Sequence, residues 1–370
     1  MKIGLSLSGG GVRATVFHLG VLARVAESSK WKDIRFISTV SGGSLCVALV
    51  YAKSERTWPD SSLFLQDVLP KLKSLLTTFD LEAYYKWSLI NPYWWIAGRA
   101  KLVSKLIQKH WGINGNISQI PDFPNWEICA TSYETGKNWR FSKKRMGDYI
   151  SNYVVSPSFP LSDAVAASAA VPGLIGPLSV DITKYQWCKY DDDRKTTISS
   201  NGPTTQKIRL WDGGVYDNLG LESMFKPQKG LRVGLDFLII SDASRPIKME
   251  TKRFQFKLPP YIPPFRLIDV ATDQVRAIRL RIFVNFLSAN KNAGTIFHMG
   301  NTMPAILAQA NATIPDKWNE KKFLSESQVS TVAGMETTLR KLDLEEYDLL
   351  FQHGYEVADA TLYASWAYTI

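Results

Sequence analysis

Ser8-Gly9-Gly10-Gly11-Val12-Arg13 and Thr39-Val40-Ser41-Gly42-Gly43 are the two stretches on which the fold turns. Each follows a short apolar run and precedes a run with helical spacing. Ile3 to Leu7 is predicted as a strand, and Ala14 to Ala26 as a helix, because Val16, Phe17, Leu19, Leu22 and Val25 recur at the helical period. Arg35 to Val40 and Ser44 to Tyr51 repeat the pattern as a second strand and a tightly apolar second helix. A βαβα unit of this kind predicts a parallel sheet covered on both faces.

The composition sets the frame for that unit. The chain has 370 residues, 45% of them apolar and 21% charged, which is the balance of a globular protein with a substantial core. No uninterrupted apolar stretch approaches the roughly 20 residues needed to span a bilayer, so the chain is expected not to cross a membrane. Met1-Lys2 leads straight into the first strand without the layout of a secretory signal. Cys46, Cys129 and Cys188 are odd in number and lack CxxC spacing, which argues against a disulfide framework and for a reducing, cytoplasmic setting.

Further along, Asn125 to Thr131 and Trp139 to Phe141 read as a hairpin around Tyr133-Glu134-Thr135-Gly136-Lys137. Leu161 to Ala170 is an alanine-rich helix that stops at Pro172, and its small side chains suit close packing behind a site. Val180 to Pro203, with Asp191-Asp192-Asp193, reads as a polar surface loop that lacks the ligand spacing of a calcium site, so no metal is expected. Ile208 to Trp211 and Leu235 to Ser241 are strands ending at Asp212-Gly213-Gly214 and at Asp242.

Past Arg245 the character changes. Leu258-Pro259-Pro260-Tyr261-Ile262-Pro263-Pro264-Phe265 excludes regular helix or central strand, a basic helical stretch follows from Asp269 to Leu287, and Met335 to Tyr363 reads as helix. The domain expectation is a catalytic core over 1–245 and a packed, basic, largely helical extension over 246–370. Arg245 to Lys291 holds ten basic residues against Glu250, Asp269 and Asp273, a local charge of +7 within a total of +10. Cations among aromatic residues favour an anionic lipid surface or nucleic acid; no recognition motif accompanies the charge, so nucleic acid is not expected.

The chemistry starts from Ser41. A serine hydroxyl becomes a nucleophile when it is exposed on a turn, near a base and near donors for an oxyanion. A strand breaking into a helix supplies such an elbow, with Gly42 and Gly43 removing side chains that would meet the neighbouring strand. The usual G-x-S-x-G pattern has Thr39 in place of its first glycine, and the rival register through Ser44 puts that serine inside the first helical turn, where capping is its commoner role. His18, His110, His298 and His353 stand in no recognisable acid motif, and His18 is read as a packing histidine. Asp212, ending a strand before two glycines, is the better partner, because burial beside the serine raises its basicity.

Gly9-Gly10-Gly11-x-Arg13, then Val40-Ser41-Gly42-Gly43, then Asp212-Gly213-Gly214, in that order, resembles the patatin-like phospholipase family over Ile3 to about Asp217. The resemblance implies a three-layer α/β/α sandwich with a mainly parallel central sheet. It implies Ser41 as nucleophile, Asp212 as its sole partner in a dyad, and Gly9, Gly10 and Gly11 as the oxyanion hole. Gly43 and Gly213 would support the two turns, and Arg13 would brace the glycine loop or face a phosphate. The implied activity is acyl-ester hydrolysis of phospholipids or related lipids without a cofactor, on a cytoplasmic or peripheral membrane protein, with an activating ligand open. Acyl transfer, a membrane-degrading effector role and a non-enzymatic lipid- or nucleotide-responsive module are the alternatives. Gly9 to Ala14 also satisfies the G-x-G-x-x-A dinucleotide pattern, but the second strand ends in Thr39-Val40-Ser41 and offers no acid for a ribose.

Two segments suit an interface. Tyr84-Tyr85-Lys86-Trp87 with Tyr93-Trp94-Trp95 is dense in amphipathic rings, which otherwise line an acyl pocket or fill the core. Lys252 to Arg266 adds charge, and the helix with Val275, Ile278, Ile282 and Phe286, flanked by Arg276, Arg279 and Arg281, is expected to meet a membrane or to roof the site.

Overall fold

β1 (Ile3–Leu7) lies at the middle of a run of parallel strands whose two faces are both buried, as alternate residues of a neighbouring strand show. In that neighbour, β13 (Phe237–Asp242), Phe237 and Ile239 join the larger hydrophobic core, whereas Leu238 and Ile240 join a second one with Phe283. The computed structural model describes residues 1–190, 197–247, 264–318 and 323–366. The acidic run Asp191 to Asp193, the proline-rich segment as far as Pro263 and the last four residues lie outside these.

Five parallel strands form one half of the sheet from its edge inward, in the order β14 (Gly294–His298), β13, β1, β2 (Ile34–Val40) and β3 (Asn125–Ser132). An antiparallel array continues through β4 (Asn138–Phe141), β5 (Arg145–Asp148), β6 (Asn152–Val155), β8 (Trp187–Tyr190) and β9 (Thr197–Ser200). β7 (Leu178–Asp181) pairs with β10 (Lys207–Asp212), and β11 (Phe225–Lys226) with β12 (Gly230–Leu231) makes a separate ribbon. The expectation of a surface loop from Val180 to Pro203 is therefore corrected. Its strands are only four residues long, too short for a polar sequence to betray, and they are fixed by cross-strand pairing and by the buried ring of Trp187.

The sheet is flanked by helices, giving the mixed α/β architecture with a largely parallel centre that the opening motifs predict. α1 (Gly11–Ala26) and α2 (Gly42–Lys53) follow β1 and β2, and α3 (Leu161–Ser168) follows β6. α4 (Pro264–Ala289) covers the second core through Phe283. β14, which the sequence reading missed, adds a parallel strand beyond β13, and α5 (Glu326–Gly334) and α6 (Leu344–Trp366) complete the layer beside α1. Helix begins only at Leu344 rather than at Met335, because residues 335 to 342 wrap the start of α1. There the Thr338 carbonyl accepts from Val12 N–H at 3.0 Å, and Leu342 N–H donates to Leu76 at 3.0 Å.

α1 and α6 touch backbone to backbone. A Cβ on Gly20 would stand 2.0 Å from the Phe351 carbonyl oxygen, and one on Gly354 would stand 2.0 Å from the Phe17 carbonyl oxygen. Arg24 and Asp359 close the same interface with a 2.5 Å ion pair. Gly354→Val is expected to force the helices apart and to destabilise the fold by about 3 kcal/mol, read as a lowered urea midpoint; an unchanged midpoint contradicts this packing.

Candidate active site

β3 carries β4 along one edge, with Ala130 opposite Trp139 and Thr131 opposite Asn138, so its other edge receives everything else. That other edge holds two strands end to end. β2 runs parallel to β3 and finishes with Val40 opposite Cys129, and β10 arrives antiparallel and finishes with Asp212 opposite Ala130. The residue after Val40 is Ser41, so two side chains 171 positions apart in the chain meet where the strands abut. Gly213 leaves through this junction: a Cβ there would stand 2.5 Å from the Cys129 carbonyl oxygen and 3.2 Å from Val40.

Ser41 is the elbow that its sequence predicts. Its φ of 50° and ψ of −113° are a left-handed conformation that costs a non-glycine residue about 1–3 kcal/mol. Gly43 passes against β1, where a Cβ would stand 2.4 Å from the Leu7 carbonyl oxygen, and its N–H donates to the Ser8 carbonyl at 3.1 Å. Thr39, the departure from the usual glycine, accepts from Trp126 Nε1–H at 2.9 Å and from the Ser44 hydroxyl at 2.9 Å. Ser44 is therefore part of a buried strut. Ser168 completes that strut: its hydroxyl lies 2.8 Å from that of Ser44, donates to the Cys129 carbonyl at 2.6 Å and accepts from the Ser41 N–H at 3.0 Å.

Ser168 and Asn218 are contributors that the sequence reading did not single out. Ser168 ends the alanine-rich helix, and the chain just beyond it clamps β10, with Asp212 N–H on the Ala170 carbonyl and Gly213 N–H on the Ser168 carbonyl. Asn218 lies one helical turn past Gly214 and its carbonyl accepts from the Gly9 N–H at 3.1 Å. A polar residue that close to Asp212-Gly213-Gly214 was the available signal for it.

The glycine turn stands beside Ser41, and a Cβ added to Gly9 would sit 3.1 Å from the Ser41 Cβ. Gly9 N–H is committed to Asn218, whereas the N–H groups of Gly10 and Gly11 have no protein acceptor among the described residues. Gly10, at φ 142°, caps α1, and Ser41 caps α2, so two helix N-termini direct their positive ends to one place. Arg13 braces this turn and is itself buried: one terminal nitrogen donates to the Met335 carbonyl at 2.9 Å and the Ala333 carbonyl at 3.3 Å, and the other to the Ala243 carbonyl at 2.9 Å. Burial, with Arg245 nearby, lowers its pKa to about 10.

Ser41, Asp212, Gly9, Gly10 and Arg13 line one pocket of about 440 Å³, within the range of small-molecule and acyl-chain sites. α4 forms a wall of it through Ile268, Thr272 and Arg276. Burial pushes the Asp212 carboxyl up to about 6, opposed by hydrogen bonds from the Gly214 N–H, at 2.7 Å, and from the Ser41 hydroxyl. None of the four histidines lines the pocket. His18 is fixed between the Ser241 hydroxyl at 2.8 Å and the Ser8 carbonyl at 2.9 Å, and burial lowers its pKa to about 4. Among the described residues no cluster suited to a metal ion occurs, the three cysteines are free, and no helix is long and apolar enough to cross a membrane.

The arginines of α4 are less available than their sequence suggests. Arg276 pairs with Asp242 at 2.8 Å and Asp273 at 2.6 Å, and Arg279 pairs with Glu222 at 3.0 Å.

Thr39→Gly, which restores the commoner elbow pattern, is expected to leave the buried Trp126 Nε1–H without its acceptor, to turn the Ser44 hydroxyl onto Ser168 and to destabilise the protein by about 1–3 kcal/mol. Differential scanning calorimetry checks this, and a Tm at or above the wild-type value contradicts the strut.

Residues 5–225 match the family described as Patatin-like phospholipase. A patatin-like phospholipase domain-containing protein of Coccidioides immitis (strain RS) is 25% identical over 188 residues, covering 49% of this chain and 22% of that protein. Human GIVD cytosolic phospholipase A2 superposes over 99% of this chain and 62% of its own, with a TM-score of 0.51 and 12% identity. The same human enzyme in complex with methyl gamma-linolenyl fluorophosphonate gives a TM-score of 0.51 at 13% identity, over 99% of this chain and 58% of its own. The chain thus spans under two thirds of these relatives, and the structural likeness is one of fold. With the family match covering more than half of its length, the chain belongs to the patatin-like phospholipase family.

Proposed function

We propose that the protein is a phospholipase A-type lipid acyl hydrolase in which Ser41 is the nucleophile, Asp212 its base, and the Gly10 and Gly11 N–H groups the oxyanion donors. The observation that carries this reading is the abutment of β2 and β10 on one edge of β3, which sets a strained serine against a desolvated carboxylate inside a pocket. Family membership makes a lipid ester the substrate class that the pocket is read against.

In the first step the Ser41 Oγ attacks the acyl carbonyl carbon as its proton passes to Asp212, and the carbonyl oxygen becomes an oxyanion. The N–H groups of Gly10 and Gly11, backed by two helix N-termini, stabilise that charge. The C–O bond to the glycerol oxygen then breaks, and the proton on Asp212 goes to the departing alcohol. Water repeats the sequence on the acyl-enzyme: its proton goes to Asp212, the fatty acid leaves, and Ser41 is reprotonated. A carboxylate with an ordinary pKa near 4 is a weak base. Burial that lifts Asp212 to about 6 brings it nearer the proton affinity the task needs.

Ser41→Ala is expected to lower kcat by at least about a thousandfold on a fatty-acyl phospholipid, and a long-chain fluorophosphonate is expected to label the wild type and not the variant. Labelling and fatty-acid release that both survive Ser41→Ala refute the assignment.

The base acts ionised, so kcat/KM is expected to rise with pH through about 6, the value for Asp212. For stability the sign is opposite. A carboxyl whose pKa is raised on folding favours the protonated native state, so its cost appears as pH climbs from about 4 to about 6 and persists above. Asp212→Asn is therefore expected to be inactive yet at least as stable as wild type at pH 7; an active Asp212→Asn, or a pH profile flat across 5 to 7, contradicts the role.

A further inference from the structure

The aromatic segment between residues 81 and 97 does not behave as core. Its two ends are anchored, with Leu81 and Tyr85 buried and Trp94 packed on the core, but the middle faces outward. Trp87 is 74% exposed, Ile90 70%, Tyr93 60% and Ile96 90%. Four large apolar side chains exposed within ten residues of chain are more than the scattered single positions of an ordinary surface. They sit on two short helices, Leu81–Ser88 and Tyr93–Ala97, in the stretch just before the helix Arg99–Leu106.

This surface is tied to the pocket mouth. The buried Tyr85 donates its phenolic O–H to the Leu174 carbonyl at 2.8 Å, and Leu174, itself 61% exposed, is part of the pocket lining. Across the mouth, Ile247 and Ile268 are exposed apolar residues of the same pocket. Charge completes the pattern. Residues 81 to 105 contain Lys86, Arg99, Lys101 and Lys105; Lys86 pairs with Glu82 at 2.6 Å and Lys101 with Asp163 at 2.6 Å, which leaves Arg99 and Lys105 as the cations in excess. Arg99 stands 3.5 Å from a Cβ built on Gly176, two residues past the rim residue Leu174, and forms no ion pair among the described residues.

From these observations we infer that Trp87, Ile90, Tyr93 and Ile96 form a platform that docks the protein on an anionic lipid surface, with the rim at Leu174 brought down against the bilayer. Amphipathic rings and branched aliphatic side chains suit headgroup depth, and a cationic fringe suits acidic lipid. A docked platform lets an acyl chain pass from the bilayer over Leu174 to Ser41 without crossing water. The inference rests on the proposed hydrolase reading for its purpose. Its binding component stands apart from turnover, which permits separate tests.

The binding test uses Ser41→Ala protein, which holds lipid without consuming it, sedimented with vesicles of phosphatidylcholine and phosphatidylserine in equal parts. Trp87→Ala and Ile96→Asp, each added to that background, are expected to lower the partition coefficient about tenfold. Arg99→Gln is expected to weaken binding to the mixed vesicles and to reduce its sensitivity to salt. With Ser41 present, Ile96→Asp is expected to reduce vesicle hydrolysis at least tenfold while turnover of a monomeric short-chain ester stays unchanged. Trp87 and Ile96 are exposed and Arg99 is half-buried, so an unchanged Tm certifies the fold, and Ile96→Ala replaces Ile96→Asp if the charge lowers it. Partition that is indifferent to these substitutions overturns the platform, as does a change of oligomeric mass in the variants with vesicle binding intact. Vesicle binding that depends on the platform, in a wild type that cleaves no ester, upholds the docking surface and removes the hydrolase reading instead.

Discussion

One edge of β3 organises the molecule. A strand has two edges, and β4 occupies one of them, so β2 and β10 must share the other, meeting head to head between Cys129 and Ala130. Backbone hydrogen bonding fixes this meeting point to within a residue, and a slip by one position turns each side chain to the opposite face. Ser41 and Asp212 thus owe their proximity to the sheet register, and the hydrogen bond from the Ser41 hydroxyl to Asp212 follows from it. The same register explains why Gly213 has no side chain, since the chain must leave past the Cys129 carbonyl.

Around that junction the structure places polar groups where each is held. Trp126 and Ser44 donate to Thr39, and packed against them Ser168 donates to the Cys129 carbonyl and accepts from the Ser41 N–H, which makes a two-part strut beneath the elbow. Such a strut is stabilising only when every member is satisfied, and it offsets the unfavourable backbone of Ser41. By contrast, Asp212 is left with few partners. Its desolvation is a cost to the fold that the surrounding packing sustains.

The parallel centre was legible because it is local: strand, turn and helix follow one another, and Ile3 to Leu7 and Arg35 to Val40 carry continuous apolar runs. The sequence order of the glycine turn, elbow and Asp212 was legible too, and the chain's family match covers the same span. What stayed hidden was non-local. Nothing in Lys207 to Asp212 states that it runs antiparallel against β3, and Gly294 to His298 is too short to declare itself a sheet member. Charge also misled, because Arg276 and Arg279 read as free cations until Asp242, Asp273 and Glu222 are brought against them by the fold. Likewise, no count of aromatic residues tells which of Tyr84 to Trp94 face inward; Tyr85 is buried and Trp87 is not.

Arg13, in the first turn of α1, reaches to carbonyls at 243, 333 and 335, and Gly11 is backed by Thr338. Every one of these supports is translated long after the glycine turn itself. During synthesis the first strand and its turn emerge from the ribosome with an unanchored guanidinium and an open back, and they stay that way until residues near 338 arrive. A chain that ends before residue 333 therefore lacks the carbonyls that hold one arm of the Arg13 guanidinium, even though it already contains both Ser41 and Asp212.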